Sequence, residues 1–215
     1  MRPVIYGYRY SVYSWIVLLV MAEKGVVFDW SEVDPFDLAA DDPFRRLNPL
    51  CRVPVLEHDG QIIYETAAVT QYIDDVFEGP ALVPKDPGQR ARMRQLICVA
   101  DADAYWPLVR QVFVQSVWRP RCGETKDKDE VRSGLVAASR VLSALEDLVS
   151  EERYLVIGSV SLADLHLAPM ISYFSEADEG RDLLLSFPRL SGWWSSVRGI
   201  GSFRETRPDL ATAFE

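Results

Sequence analysis

Apolar and polar positions follow two regimes along the chain. Over the first 78 residues short β-type runs alternate with helical ones; beyond residue 88 the apolar positions recur at helical spacing. Pro3–Tyr8 has strand composition and leads into Trp15–Ala22, an unbroken apolar stretch closed by Gly25. That order predicts a strand, then a buried helix with a glycine stop. Val26–Val33 predicts a second strand, and Pro35–Leu47 a helical or irregular link. In Asn48–Asp75 two further β-type runs, Val53–His58 and Gln61–Tyr64, flank Asp59-Gly60, a preferred two-residue hairpin turn. Glu65-Thr66 then opens a helix with Val69, Tyr72, Ile73 and Val76 on one side, so the second hairpin strand runs straight into it.

The first regime therefore reads βαβαββα, a thioredoxin-like domain over residues 1–78. Gly79–Gly88 holds three prolines and two glycines and reads as a linker. Residues 89–215 predict an all-α helical bundle, which makes the chain a two-domain α+β protein. Within it Gln89–Trp118 predicts a long helix bent at Pro107, and Arg119–Glu130 a charged loop. Val131, Leu135, Ala138, Leu142, Leu145 and Val149 mark the next buried face. Ser161 and Asp164 have the spacing of a capping box, so Asp164 and the adjacent His166 read as structural and not as metal ligands.

Charged residues at 26%, apolar ones at 48% and a net charge of −9 describe a soluble globular protein. The negative charge speaks against nucleic acid or an anionic membrane as partner. Cys51, Cys98 and Cys122 cannot all pair and show no metal-ligand spacing, which points to a reducing, cytoplasmic setting and to no metal. Trp15–Ala22 is too short to span a bilayer, whose core needs about 20 residues. Its end, Glu23-Lys24-Gly25, is no small-residue cleavage site, so export is not expected.

Three features carry candidate chemistry. Pro54 at the head of an apolar strand requires either an edge strand or a cis Val53–Pro54 bond that turns the Val53 backbone outward. The second arrangement presents an N–H and a C=O to an extended peptide, which can pair as an added strand. The helix start at Glu65-Thr66 offers free N–H groups to an anion. Where the first strand meets the first helix, Tyr6, Tyr8, Tyr10, Ser11, Tyr13 and Ser14 supply hydroxyls.

Asn48–Ile73 resembles the glutathione-binding half of the soluble glutathione transferases. That family carries N-P-x-G-x-V-P-x-L, a hairpin and [E/Q]-[S/T]-x-A-I-x-x-Y-[L/I]; here Cys51 stands in the place of the glycine. Ser11-Val12-Tyr13-Ser14-Trp15 is similar to the serine-type signature of zeta-like members. Tyr13 replaces their cysteine, and Ile16 and Leu18 replace basic residues, so zeta-type isomerase chemistry is not implied. Gly158–Asp164 resembles the family's G-x-x-x-S-x-A-D motif, and Pro188–Thr206 its terminal P-x-L-x-x-W helix.

The resemblance implies glutathione as co-substrate, a homodimer and a detoxifying transferase. Ser11 would be the catalytic hydroxyl, with Tyr8 as the alternative and a plain helix cap as the bland role for Ser11. Arg52 would meet the glycyl carboxylate, Val53 beside Pro54 the cysteinyl backbone, and Glu65 with Thr66 the γ-glutamyl end. Tyr8, Tyr105, Trp106, Arg110 and Phe113 would line a pocket for a small, mostly apolar electrophile, with Tyr105 or Arg110 orienting its polar end, although residues at helical spacing such as Tyr105, Trp106, Phe113 and Val114 are more often core. The same resemblance leaves open an isomerase, a dehalogenase, an ether-cleaving enzyme, a thiol reductase using Cys51, or a non-catalytic binding protein.

Overall fold

The structure, a computed structural model, describes residues 1–212. In chain order the elements are β1 (Val4–Gly7), α1 (Val12–Lys24), β2 (Asp29–Glu32), α2 (Phe44–Leu47), β3 (Val55–His58), β4 (Gln61–Tyr64) and α3 (Thr66–Val76). Then follow α4 (Pro87–Val99), π-helical segments at Ala100–Ala104 and Trp106–Trp118, α5 (Arg119–Arg121), α6 (Lys128–Leu148), α7 (Leu162–Glu176), α8 (Asp178–Leu184), α9 (Pro188–Val197) and α10 (Gly201–Thr206). Among the described residues they form two compact units, one of Met1–Ala81 together with residues 202–212, the other of Leu82–Gly201.

The first unit holds a sheet ordered β2-β1-β3-β4, with β1 and β2 parallel and the remaining pairs antiparallel. Asp59 (φ 48°) and Gly60 (φ 77°) both take positive φ, as the primed hairpin turn requires, and His58 pairs with Gln61 across it. The second strand is shorter than its apolar run. β1 offers four partners, from Val4 opposite Asp29 to Gly7 opposite Glu32, so residues 26–28 fall outside the ladder.

Helix α1 buries Trp15, Ile16, Val17, Leu19, Val20 and Met21. At its end the buried Lys24 ammonium donates to the Asp74 carboxylate at 3.0 Å, to the Asp74 carbonyl at 3.3 Å and to the Pro80 carbonyl at 3.1 Å. These three contacts use all three of its donors and tie α1 to α3 and to the chain beyond it. Trp15 Nε1 donates to Thr206 Oγ1 at 2.9 Å and its ring lies 5.0 Å from Phe203. Through these contacts Phe203 and Thr206 pack on the first unit.

In the helical unit α4 begins at Pro87, inside the stretch that reads as linker. Asp86 caps it by accepting from the Gln89 N–H at 2.9 Å, and proline at the first helical position loses no hydrogen bond. The single long helix expected over Gln89–Trp118 is replaced by α4 and the wider π-helical turns. Buried positions there recur at four and five, through Ala104, Leu108, Val109, Val112, Phe113 and Val117. The capping box at Ser161 and Asp164 is present, and α7 is buried from Leu162 to Phe174. No helix among the described residues is long and apolar enough to cross a membrane.

Candidate active site

Tyr6 of β1 lies opposite Val55 of β3, and Val55 opposite Tyr64 of β4. The end of β1, the start of β3 and the end of β4 are therefore at one end of the sheet. Residues 8–11, 48–54 and 65–66 all leave from that end.

Ser11 is the N-cap of α1, extended at φ −75° and ψ 126°, and its Oγ accepts from the Ser14 N–H at 3.3 Å. Its own N–H donates to the Tyr8 carbonyl at 2.9 Å, while the Tyr8 N–H donates to Ser14 Oγ at 3.1 Å. Gly7 lets this turn close, since a Cβ there would lie 2.4 Å from the Trp30 ring and 3.0 Å from Ser14 Oγ. Capping uses a lone pair of the half-buried Ser11 hydroxyl and leaves its hydrogen, which has no acceptor among the described residues. The first turn of α1 holds no acidic residue, so the positive end of the helix is uncompensated.

The competing hydroxyls are engaged. Tyr6 donates to Glu57 at 2.8 Å, Tyr10 meets Thr212 at 3.3 Å, and Ser14 is fully buried. Burial, then Asp34, Tyr10 and Glu32, push the Tyr8 phenol above its ordinary value, with Arg9 opposing weakly.

The Val53–Pro54 bond is cis. Because β3 is flanked by β1 and β4, the edge-strand alternative does not apply. The ladder starts at Val55, so the Val53 main chain lies outside it, while the Val53 side chain packs with Phe44 and Val55 against Tyr8 and Tyr64. Asn48, 1% exposed, shapes this segment: Nδ2 donates to the Arg52 carbonyl at 2.8 Å, and Oδ1 accepts from the Leu50 N–H at 3.0 Å. Cys51 adopts φ 54°, the left-handed conformation that glycine takes most easily. Arg45 donates to its sulfur at 3.0 Å and to the carbonyls of Leu38 and Ala39. The positioning roles of Asn48 and Arg45 escape sequence reading, although the Asn-Pro pair marks the turn. Arg52 itself is exposed.

Glu65 sits at φ 70° as the N-cap of α3 with no side-chain cap, exposed beside the buried Thr66. Such a backbone costs about 1–3 kcal/mol for a residue with a Cβ and persists where its surroundings enforce it. The first turn of α3 also lacks an acid, which leaves its N–H groups open to a carboxylate. In the helical unit, burial raises the Tyr105 phenol while the Arg110 guanidinium, hydrogen-bonded to it, acts the other way. Trp106 is 57% exposed. Phe113, expected in the pocket, is 2% exposed and stacked on Tyr173 at 4.4 Å and 17°, so its ring serves as core packing in this unit.

Two family models match the sequence: the glutathione S-transferase N-terminal domain over residues 10–76 and the C-terminal domain over residues 105–200. A probable maleylacetoacetate isomerase of Caenorhabditis elegans is 31% identical over 97% of this chain and 94% of its own. The chain belongs to the glutathione S-transferase family. A glutathione S-transferase of Arabidopsis thaliana is 27% identical over 97% of this transferase and 96% of its own length. A solved glutathione S-transferase III in its apo form superposes with a TM-score of 0.84 at 24% identity, covering 96% of this chain and 95% of that one, which shows the shared fold. The transferase's N-terminal match spans Ser11, the hairpin and the Glu65-Thr66 helix start.

Proposed function

We propose that this transferase holds glutathione as a thiolate beside Ser11 and directs the sulfur to an electrophilic carbon of a small, mostly apolar second substrate. The Ser11 hydroxyl carries the reading: it caps α1 through a lone pair and keeps its hydrogen for the sulfur, at a helix start with no acid in the first turn. A free thiol has a pKa of about 8.5, and lowering it by two units takes about 2.7 kcal/mol. A hydrogen bond to a charged group supplies about 1.5–3 kcal/mol, and the helix end up to ~2 kcal/mol. The two together are sufficient.

In this assignment the cysteinyl backbone of the tripeptide pairs with the Val53 main chain beside Pro54, and Arg52 takes the glycyl carboxylate. Thr66 and the α3 N–H groups take the γ-glutamyl carboxylate, with Glu65 on its ammonium. The sulfur lone pair forms the new C–S bond and the leaving group departs with the bonding pair. A cytoplasmic homodimer belongs to the same proposal.

A second reading, a glutathione-dependent isomerase, is favoured by the nematode relative's name and identity. Tyr13 in place of a cysteine weighs against it. Ultraviolet titration of bound glutathione in the parent and in Ser11→Ala tests the first reading. Thiolate is expected at neutral pH in the parent, with its pKa higher by about 1–2 units in the variant. Identical titrations would remove Ser11 from the mechanism. Activity lost in Cys51→Ala but kept in Ser11→Ala would replace the transferase step by thiol exchange at Cys51.

A further inference from the structure

Two of the hydrogen bonds that hold the turn ahead of Ser11 are local: the Ser11 N–H on the Tyr8 carbonyl at 2.9 Å, and the Tyr8 N–H on Ser14 Oγ at 3.1 Å. A turn closed in this way has Arg9 and Tyr10 at its centre, and the Arg9 N–H takes no part in the closing bond. Its acceptor comes from 23 residues further along the chain. Glu32, the last residue of β2, receives the Arg9 N–H on Oε1 at 3.0 Å and holds the Arg9 guanidinium on the same oxygen at 3.4 Å.

The carboxylate is itself fixed in place. Glu32 lies opposite Gly7 in the parallel β1–β2 ladder, and the Val33 N–H donates to the Gly7 carbonyl at 2.8 Å. The end of β2 is thereby tied to the residue from which the turn departs. Trp30, two positions earlier and so on the same face of the strand, donates its indole N–H to Glu32 Oε2 at 2.8 Å. The Trp30 ring fills the space beside Gly7, where a Cβ would lie 2.4 Å from it. One carboxylate oxygen is held by Trp30 and the other by the turn, and hydrogen bonds to an ionised acceptor are the strong kind.

From this arrangement we propose that Glu32 is a positioning residue for the transferase reaction: by holding the Arg9 N–H it fixes the turn that aims the Ser11 hydroxyl at the glutathione sulfur. The assignment rests on the transferase reading and adds to it a residue from β2. Its role is one of geometry and not of charge. A carboxylate near a thiolate disfavours the charged sulfur, so a Glu32 acting through its charge weakens the site, whereas a Glu32 acting through the turn strengthens it. The two roles therefore move the bound thiol in opposite directions.

Ultraviolet titration of glutathione bound to full-chain Glu32→Asp, Glu32→Gln and Glu32→Ala separates them. Aspartate keeps the charge and draws the oxygens back from the Arg9 N–H by one methylene; glutamine drops the charge and keeps an oxygen at the same reach. At neutral pH the ratio of thiol to thiolate is expected to rise about 3- to 10-fold in Glu32→Asp and Glu32→Ala, and to stay level or fall in Glu32→Gln. An unchanged ratio in the first two overturns the proposal even where their urea midpoints drop, since a purely structural contact moves only the midpoint. A rise in Glu32→Gln equal to that in Glu32→Asp overturns it as well. Should Glu32→Ala not fold, the aspartate and glutamine pair decides. The turn is also read without glutathione: the Arg9 amide hydrogen should exchange about 10-fold faster in Glu32→Asp than in the parent. A parent that binds glutathione only as the thiol sinks the transferase reading, whereas an Arg9 amide that exchanges alike in both proteins sinks the assignment of Glu32, so the two failures are separate.

Discussion

Two serines open two buried helices, and only one of them has a hydrogen to give. Ser161 precedes α7, fully buried; its hydroxyl donates to Asp164 Oδ2 at 2.7 Å. Asp164 in turn accepts from the N–H groups of Leu155 at 2.9 Å and Ser161 at 2.8 Å and from Trp193 Nε1 at 2.8 Å. Every strong donor around that helix start faces an acceptor. Ser11 precedes α1 with the same extended backbone, half-buried, and accepts one hydrogen bond without passing its own hydrogen on. The same residue type in the same cap position is structural where its capacity is used up and chemical where part of it is kept. A carboxylate in the first turn marks the first case and its absence the second.

Removing the acid at the closed helix start breaks the comparison most severely. Asp164→Ala leaves three buried N–H donors unsatisfied and should cost about 3 kcal/mol or more, read as a lower urea midpoint with an unchanged slope. The pH dependence of the same site has a definite sign. Burial raises the Asp164 carboxyl above its ordinary value despite the donors around it. Its stabilising contribution is therefore complete below the unfolded-state value of about 3.9 and is lost as pH rises through the higher native one. The stability advantage of the parent over Asp164→Asn should be largest in acid and shrink toward neutrality, in urea titrations run across that range. A constant difference would mean that the carboxyl titrates alike in the folded and the unfolded chain.

The open helix start should respond in the opposite way, through chemistry more than stability. Ser11→Ala is expected to lose about 1–2 pKa units of thiolate stabilisation, equivalent to roughly 1.4–2.7 kcal/mol, and about 1 kcal/mol of helix capping. Ser11→Thr, which keeps both the oxygen and the hydrogen, should retain most of each. If Ser11→Ala lowers the urea midpoint and leaves the bound thiol unchanged, the two serines are alike and the contrast fails.

How far each region is legible in the sequence follows from how local its determinants are. The Asp59-Gly60 turn, the serine caps and the Glu65-Thr66 helix start are set by residues within four positions of one another, and all are found where the sequence places them. Pro54 leaves two options that neighbouring residues cannot separate; the strand order decides between them. The π-helical turns at Trp106–Trp118 escape because a periodicity of 3.6 is assumed in reading any helix, whereas the burial of Phe113 agrees with the core packing that helical spacing already favours. The contact of Trp193 with Asp164, 29 residues apart, and that of Trp15 with Thr206, 191 apart, belong to tertiary packing that no short motif encodes.

Cys51 provides the finest adjustment. It occupies a left-handed backbone at φ 54° where the family resemblance expects glycine, and a side chain there costs about 1–2 kcal/mol relative to glycine. Against this, its sulfur accepts from Arg45, whose other donors already hold the carbonyls of Leu38 and Ala39. The guanidinium is exposed, so loss of the sulfur contact returns that donor to water at little cost. Relief of the backbone should then win. Cys51→Gly is expected to raise stability by up to about 1 kcal/mol after the greater freedom of glycine in the unfolded chain is counted. Cys51→Ala, which loses the sulfur but keeps the strained backbone, should show no such gain. A urea series on the parent and these two variants separates the terms: equal stability of the glycine and alanine proteins would place the effect in the Arg45 contact and not in the turn.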